Sequence, residues 1–168
     1  MRVIVLARHA KAEVSSPGQL DHDRVLAPRG REDAANLGKN LSSAGFEPDV
    51  AFVSDSARTA ETWTIASATW EVPEVHTGRE LYNTTVATIV AALRLAPPGA
   101  QAVMVVGHEP TMSSVAAYLA GNGSHREALQ RISHGLQTGT AAVLEFDGEW
   151  VELGSDSARL KAIVGRDE

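Results

Sequence analysis

Val3-Ile4-Val5-Leu6-Ala7-Arg8-His9-Ala10 is an apolar run that ends in a basic pair. The run is continuous and rich in β-branched residues, the pattern of a strand buried on both faces. Ala102-Val103-Met104-Val105-Val106-Gly107-His108-Glu109-Pro110 has the same form. It too is an apolar strand followed by a turn bearing a histidine. In α/β sheets, sites form beyond the carboxyl ends of such strands, so two strands can deliver two histidines to one place.

The rest of the chain reads as alternating strands and helices. Residues 10–28 are a polar loop. A helix fits residues 31–44, with Ala34, Leu37, Leu41 and Ala44 at helical spacing and Gly45 as its C-terminal cap. Val50–Val53 is a strand, and Ser54-Asp55-Ser56 offers caps for a helix over 57–68. Pro73–Thr77 is a short strand. Thr84 or Thr85 caps a helix carrying Val86, Ile89, Val90 and Leu93, which Pro97-Pro98-Gly99 stops. Further helices are expected over 111–120 and 126–132. Ala141–Phe146 and Trp150–Leu153 flank Asp147-Gly148, a pattern that predicts a β-hairpin. Ala158–Val164 reads as a last strand rather than a helix. With no repeat, low-complexity tract or linker, one α/β domain over residues 1–168 is expected.

Composition narrows the function. The 168 residues are 43% hydrophobic and 21% charged, as in an ordinary soluble protein with a sizeable core. There is no cysteine, which excludes disulfides, thiolate metal clusters and a cysteine nucleophile. The net charge of −6 argues against a general binder of nucleic acid or anionic membrane. The apolar run at residues 3–7 is shorter than the ~7–15 residues of a signal-peptide core. No stretch reaches the ~18 apolar residues of a membrane span. A cytoplasmic protein is expected, monomeric by default.

Arg58 follows the strand at 50–53 by a few residues, and the first helical turn brings it to the edge that carries Arg8, His9 and His108. Two arginines and two histidines make a cationic pocket suited to a phosphoryl group, because guanidinium forks match phosphate oxygens. Neutral histidine is a competent nucleophile toward phosphorus. Arg8 and Arg58 disfavour imidazolium and so help to keep His9 unprotonated. A hydrogen bond from one ring nitrogen to a carbonyl would decide which nitrogen attacks. Such chemistry requires no metal and no other cofactor.

Arg8-His9-Ala10-Lys11-Ala12 resembles the RHG or RHA signature of the histidine phosphatase (phosphoglycerate mutase-like) superfamily. Ser54-Asp55-Ser56-Ala57-Arg58-Thr59-Ala60-Glu61-Thr62 resembles its S-x-x-x-R-[AT]-x-[QE]-T segment, and Val106–Pro110 its second-histidine motif. The short SixA-type phosphohistidine phosphatases are the most similar branch. Their D-x-x-R-x-L-x-x-x-G-x-x-[DE]-A stretch matches residues 21–34, from Asp21 to Ala34. Leu81-Tyr82-Asn83 and Gly139-Thr140 resemble that branch as well. The resemblance implies a three-layer α/β/α sandwich around a mostly parallel sheet. It implies that His9 accepts the phosphoryl group and that Arg8, Arg58 and His108 form the phosphate pocket. It implies a substrate that is a phosphorylated protein, bearing phosphohistidine, or a small phosphorylated metabolite.

One departure bears on the leaving group. Many members carry a catalytic glutamate in an L-x-E segment, where this chain has Leu81-Tyr82-Asn83. Glu80 and Glu109 remain as candidate proton donors, each alternatively a solvated surface carboxylate. Expelling an alkoxide needs a proton donor, whereas the P–N bond of a phosphoramidate is weaker. The missing acid therefore favours phosphohistidine over a phosphomonoester. Alternatives are a phosphatase of small phosphomonoesters or nucleotides, and a non-catalytic phosphate-binding domain. Lys11 either reaches phosphate or lies on the rim. Asp21-His22-Asp23 imitates a metal site but lacks partner ligands, and His76, His125 and His134 read as structural or surface residues.

Overall fold

The computed structural model describes residues 1–165. Strand β1 (Arg2–Arg8) buries Ile4, Val5, Leu6 and Ala7 completely, as its unbroken apolar run demands. Five further strands follow: β2 (Val50–Ser54), β3 (Glu74–Gly78), β4 (Ala102–Gly107), β5 (Ala141–Phe146) and β6 (Arg159–Val164). They form one six-stranded sheet in the order β3-β2-β4-β1-β5-β6. The first four strands in that order are parallel, β5 is antiparallel to β1, and β6 is antiparallel to β5.

Alternation along β1 splits the core in two. Val5 and Ala7 pack with Leu37 and Leu41 of α1 (Pro28–Ser43) and against Trp63 of α2 (Ala57–Ala66). Ile4 and Leu6 face the other layer, α3 (Val86–Arg94), α4 (Thr111–Leu119) and α5 (Arg126–Ile132), through Ile89, Leu93, Met112 and Ile132. The result is the expected α/β/α sandwich. Ser56 and Thr85 cap α2 and α3 by accepting the main-chain N–H of Thr59 and Thr88. α1 starts three residues before the expected position, with Pro28 in its first turn. Its apolar spacing marks the buried face, which begins later than the helix does.

The expected hairpin at Asp147-Gly148 does not form. Trp150–Glu152 is a short 3-10 helix, and β6 is the strand that pairs with β5. The cause is local. Glu149 and Glu152 make a reciprocal capping box, and the buried Trp150 indole donates to the Ala100 carbonyl at 2.9 Å. A strand would have to alternate that indole with exposed residues.

This topology creates the functional edge. β1, β4 and β2 lie side by side in parallel, so their carboxyl ends coincide, with Arg8 level with Gly107 and Val53 level with Val106. β5 starts at the same edge, where Ala141 pairs with Ala7.

Candidate active site

His9 is held by its main chain before its ring is considered. Its N–H donates to the Gly107 carbonyl (3.1 Å) and its carbonyl accepts from Gly139 N–H (3.0 Å). The next N–H, of Ala10, donates to Thr62 Oγ1 (3.0 Å), whose hydroxyl donates to the Arg58 carbonyl (2.7 Å). Thr62 thus ties the turn bearing His9 to the helix bearing Arg58.

The ring has one usable tautomer. Nδ1 lies 2.7 Å from the Ala10 carbonyl, which only accepts, so Nδ1 carries the proton. Nε2 then holds a lone pair and accepts from Arg58 Nε–H at 3.3 Å. The imidazolium is strongly disfavoured, with the His9 pKa lowered to about 3. Burial is the main cause. The carbonyl of Ala10 opposes it, and His108, Arg58 and Arg8 add smaller effects in the same direction as burial. The arginines contribute as expected, but less than desolvation.

His108 lies beside His9, the ring centroids 5.4 Å apart, with its Nε2 2.8 Å from Ser54 Oγ. It too is held neutral, its pKa lowered to about 4 by burial first and by Arg58 second. Arg58 is buried at 7% exposure. Its Nη1 donates to the Asp21 carbonyl (2.8 Å) and its Nη2 to Asp21 Oδ2 (2.9 Å). Asp21 also accepts from Arg24 (2.9 Å) and from the Tyr82 hydroxyl. These donors, Tyr82 foremost, hold its carboxyl far below the usual carboxylate range. Arg8 donates through Nη1 to the Leu136 carbonyl (2.9 Å). Its buried Nε–H has no hydrogen-bond partner among the described residues. A buried guanidinium donor left over in a cationic cleft fits an anion. Arg8, His9, Lys11, Arg58 and His108 line one cleft of about 340 Å³, and Tyr82 and Asn83 line an adjoining one of about 450 Å³.

A family model described as histidine phosphatase superfamily (branch 1) matches residues 4–85. An uncharacterized protein of Mycobacterium leprae is 35% identical over 158 residues, 92% of this chain and 96% of its own. A protein of Nakamurella multipartitia, assigned as phosphohistidine phosphatase SixA, is 31% identical in its solved structure. That structure superposes with a TM-score of 0.80 over 96% of this chain and 94% of that one.

The chain belongs to the histidine phosphatase superfamily. Within it the likeness is to the SixA type. A protein histidine phosphatase SixA complexed with tungstate, 18% identical, shares the fold at a TM-score of 0.79 over 98% of this chain and 97% of its own. Membership supports a hydrolase.

In this histidine phosphatase the structure gathers Arg8, His9, Arg58 and His108 in one cleft, with Lys11 exposed on its lining. The two candidate acids part company. Glu80 is exposed, lines neither cleft and packs against Gly78. Glu109 lines both clefts, yet its carboxylate is engaged. Oε1 accepts Ser113 N–H (2.8 Å), and Oε2 accepts Ser113 Oγ–H (2.6 Å) and Leu136 N–H (3.0 Å). The acidic stretch before the first helix is used for pairing. His22 Nε2 meets Asp55 Oδ1 at 2.6 Å, and Asp21 serves Arg58. His76 stacks on Phe52, the main chain of His125 precedes α5, and His134 bonds Gln130; none of the three lines the cleft.

Sequence pattern alone gives Ser54, Thr62, Asp21, Tyr82 and Leu136 no place in this cleft. The first four lie inside the family-like segments, where their roles were open to inspection. Leu136 acts through its main chain, for which no side-chain pattern exists.

Proposed function

We propose that this protein is a phosphohistidine phosphatase that works through a covalent phosphohistidine on His9. The observation that carries the proposal is the His9 ring, with Nδ1–H on the Ala10 carbonyl and the Nε2 lone pair beside Arg58 Nε at 3.3 Å. In the first step Nε2 attacks phosphorus and the bond from phosphorus to the substrate's ring nitrogen breaks. The bonding pair goes to that nitrogen. A proton on the other nitrogen of the substrate ring lets it leave as neutral imidazole, so no protein acid has to supply one. In the second step water attacks phosphorus and the Nε2–P bond breaks. His9 leaves as neutral imidazole for the same reason, because Nδ1 has kept its proton. Phosphate is released and the remaining proton of the water goes to phosphate or solvent.

The cationic groups act on the charge of the transferring phosphoryl group, and such electrostatic stabilisation usually contributes most to the rate of phosphoryl transfer. Arg8 and Arg58 supply fixed donors, and His108 is held neutral beside them. The acid position supports a P–N substrate, since Asn83 stands there, Glu109 is engaged and Asp21 is held ionised.

The test is turnover in EDTA of a phosphohistidine protein, set against alkyl phosphomonoesters, by wild type and His9→Ala. Expected are activity on the phosphohistidine protein, little on the esters and none in the variant, with acid-labile phosphate trapped on wild-type His9. Equal turnover of alkyl esters refutes the substrate class, and activity surviving in His9→Ala refutes the mechanism.

A further inference from the structure

Glu109 follows His108, faces both clefts and carries the only acidic side chain on the turn after β4, which makes it the natural choice for a proton donor. Its bonds give it a different task. Both oxygens are occupied by donors, two from Ser113 in the first turn of α4 and one from Leu136 N–H. Leu136 belongs to the segment between α5 and β5, and that segment meets the phosphate pocket three times. The Leu136 carbonyl accepts from Arg8 Nη1 at 2.9 Å, Gly139 N–H donates to the His9 carbonyl at 3.0 Å, and the Thr140 carbonyl accepts from Arg8 N–H at 3.0 Å.

The peptide units of this segment turn sharply. Gly135 has φ +82° and Gly139 has φ +69°, and a Cβ on Gly135 would stand 3.0 Å from Glu109 Oε2. The positive φ favours glycine at 135, and its missing side chain leaves room for the carboxylate while Leu136 points its N–H at Glu109 and its carbonyl at Arg8. The carboxylate charge also favours the Arg8 guanidinium, which burial alone disfavours.

We infer that Glu109 is a positioning residue: it braces Leu136 against α4 and so fixes the guanidinium of Arg8 for the phosphoryl group. This rests on the cleft being a phosphate site, as proposed above. It makes no use of a proton on Glu109.

The experiment compares wild type with Glu109→Gln and Glu109→Asp. The glutamine places an N–H₂ group against either Ser113 or Leu136, which already donate, and the aspartate is too short to reach both. Each variant is expected to bind inorganic phosphate about tenfold more weakly by calorimetry, the worth of one charge-assisted hydrogen bond. KM is expected to rise by the same factor for a phosphohistidine protein and for p-nitrophenyl phosphate, whose leaving group needs no acid. Any fall in kcat is expected to be alike for the two substrates, because both lose the same Arg8 contact, and the alkaline limb of the pH profile is expected to stay in place. In the Arg8→Ala background Glu109→Gln is expected to add little, because the guanidinium it positions is gone. Loss of kcat confined to alkyl esters, together with a lost alkaline limb, would make Glu109 a proton donor and overturn the inference. Unchanged phosphate affinity, or effects that add fully to Arg8→Ala, would overturn it as well. If the wild type hydrolysed no phosphohistidine, the function proposed above would fail while phosphate binding still reported on the brace.

Discussion

At the scale of single residues, the site is built from hydrogen bonds that leave each group one role. His9 is the clearest case: one carbonyl chooses its tautomer and burial keeps it neutral. With its pKa lowered to about 3, the proposed nucleophile stays unprotonated well below the ordinary histidine range. The acid limb of kcat/KM is therefore expected below about pH 5 rather than near the ordinary histidine value of about 6.5, measured on a substrate whose own ionisation has been corrected for. A limb at about 6.5 that moved with His9 would show the ring to be solvated. Thr62 offers a second test. Thr62→Val keeps the shape but leaves the buried Ala10 N–H without an acceptor, which costs roughly 1–3 kcal/mol. Urea unfolding should show that loss, and turnover should fall with it because the His9 turn and α2 are no longer tied. The basic residues of the pocket were legible in sequence because each follows an apolar strand. Their partners were not. Asp21 lies 37 positions from Arg58, and Leu136 lies 128 from Arg8, and periodicity carries no information across such gaps.

At the scale of elements, buried strands and capped helices were readable because their causes are local. Unbroken apolar runs marked β1 and β4, and serine and threonine caps marked the starts of α2 and α3. The hairpin failed where a local signal met a longer-range demand. Asp147-Gly148 is a turn dipeptide, but the Trp150 indole needs a buried seat and an acceptor, and β6 outcompetes Trp150–Leu153 as the partner of β5. Close approach between elements was equally invisible. α1 and α2 pack backbone to backbone at Gly38, where a Cβ would come within 2.2 Å of the Ala66 carbonyl oxygen. Gly38→Ala gains about 1 kcal/mol of helix propensity. Overpacking a rigid backbone contact costs about 1–3 kcal/mol. The clash has no flexible side chain to absorb it, so the sum is expected to be destabilising. A raised melting temperature for Gly38→Ala would show that the two helices can separate without loss.

At the scale of the whole molecule, the sheet order explains why the basic cleft is as enclosed as it is. β1 is the fourth of six strands, flanked by β4 and β5, so its carboxyl end is walled on both sides. Burying two histidines there has a cost that varies with pH. His9 and His108 have folded pKa values of about 3 and about 4, below the unfolded value of about 6.5. Above about pH 6.5 both states are neutral and the two histidines impose no pH dependence. Below it the unfolded chain takes up protons that the folded chain refuses, so stability falls as pH drops from about 6.5 toward about 4. Each unit of pH in that window is worth up to about 1.4 kcal/mol per histidine, which makes the combined loss a large fraction of a domain's stability. Asp21 acts in the same sense at lower pH, because its folded carboxyl is depressed and its stabilisation disappears as it protonates. Urea midpoints at about pH 7.0, 5.5 and 4.5 are expected to decline steeply for wild type. His9→Gln with His108→Gln should flatten the part of that slope lying above about pH 4.5, where carboxylates contribute least. An unchanged slope in the double variant would mean that the two rings take up protons in the folded state, and the proposed neutral nucleophile would go with them.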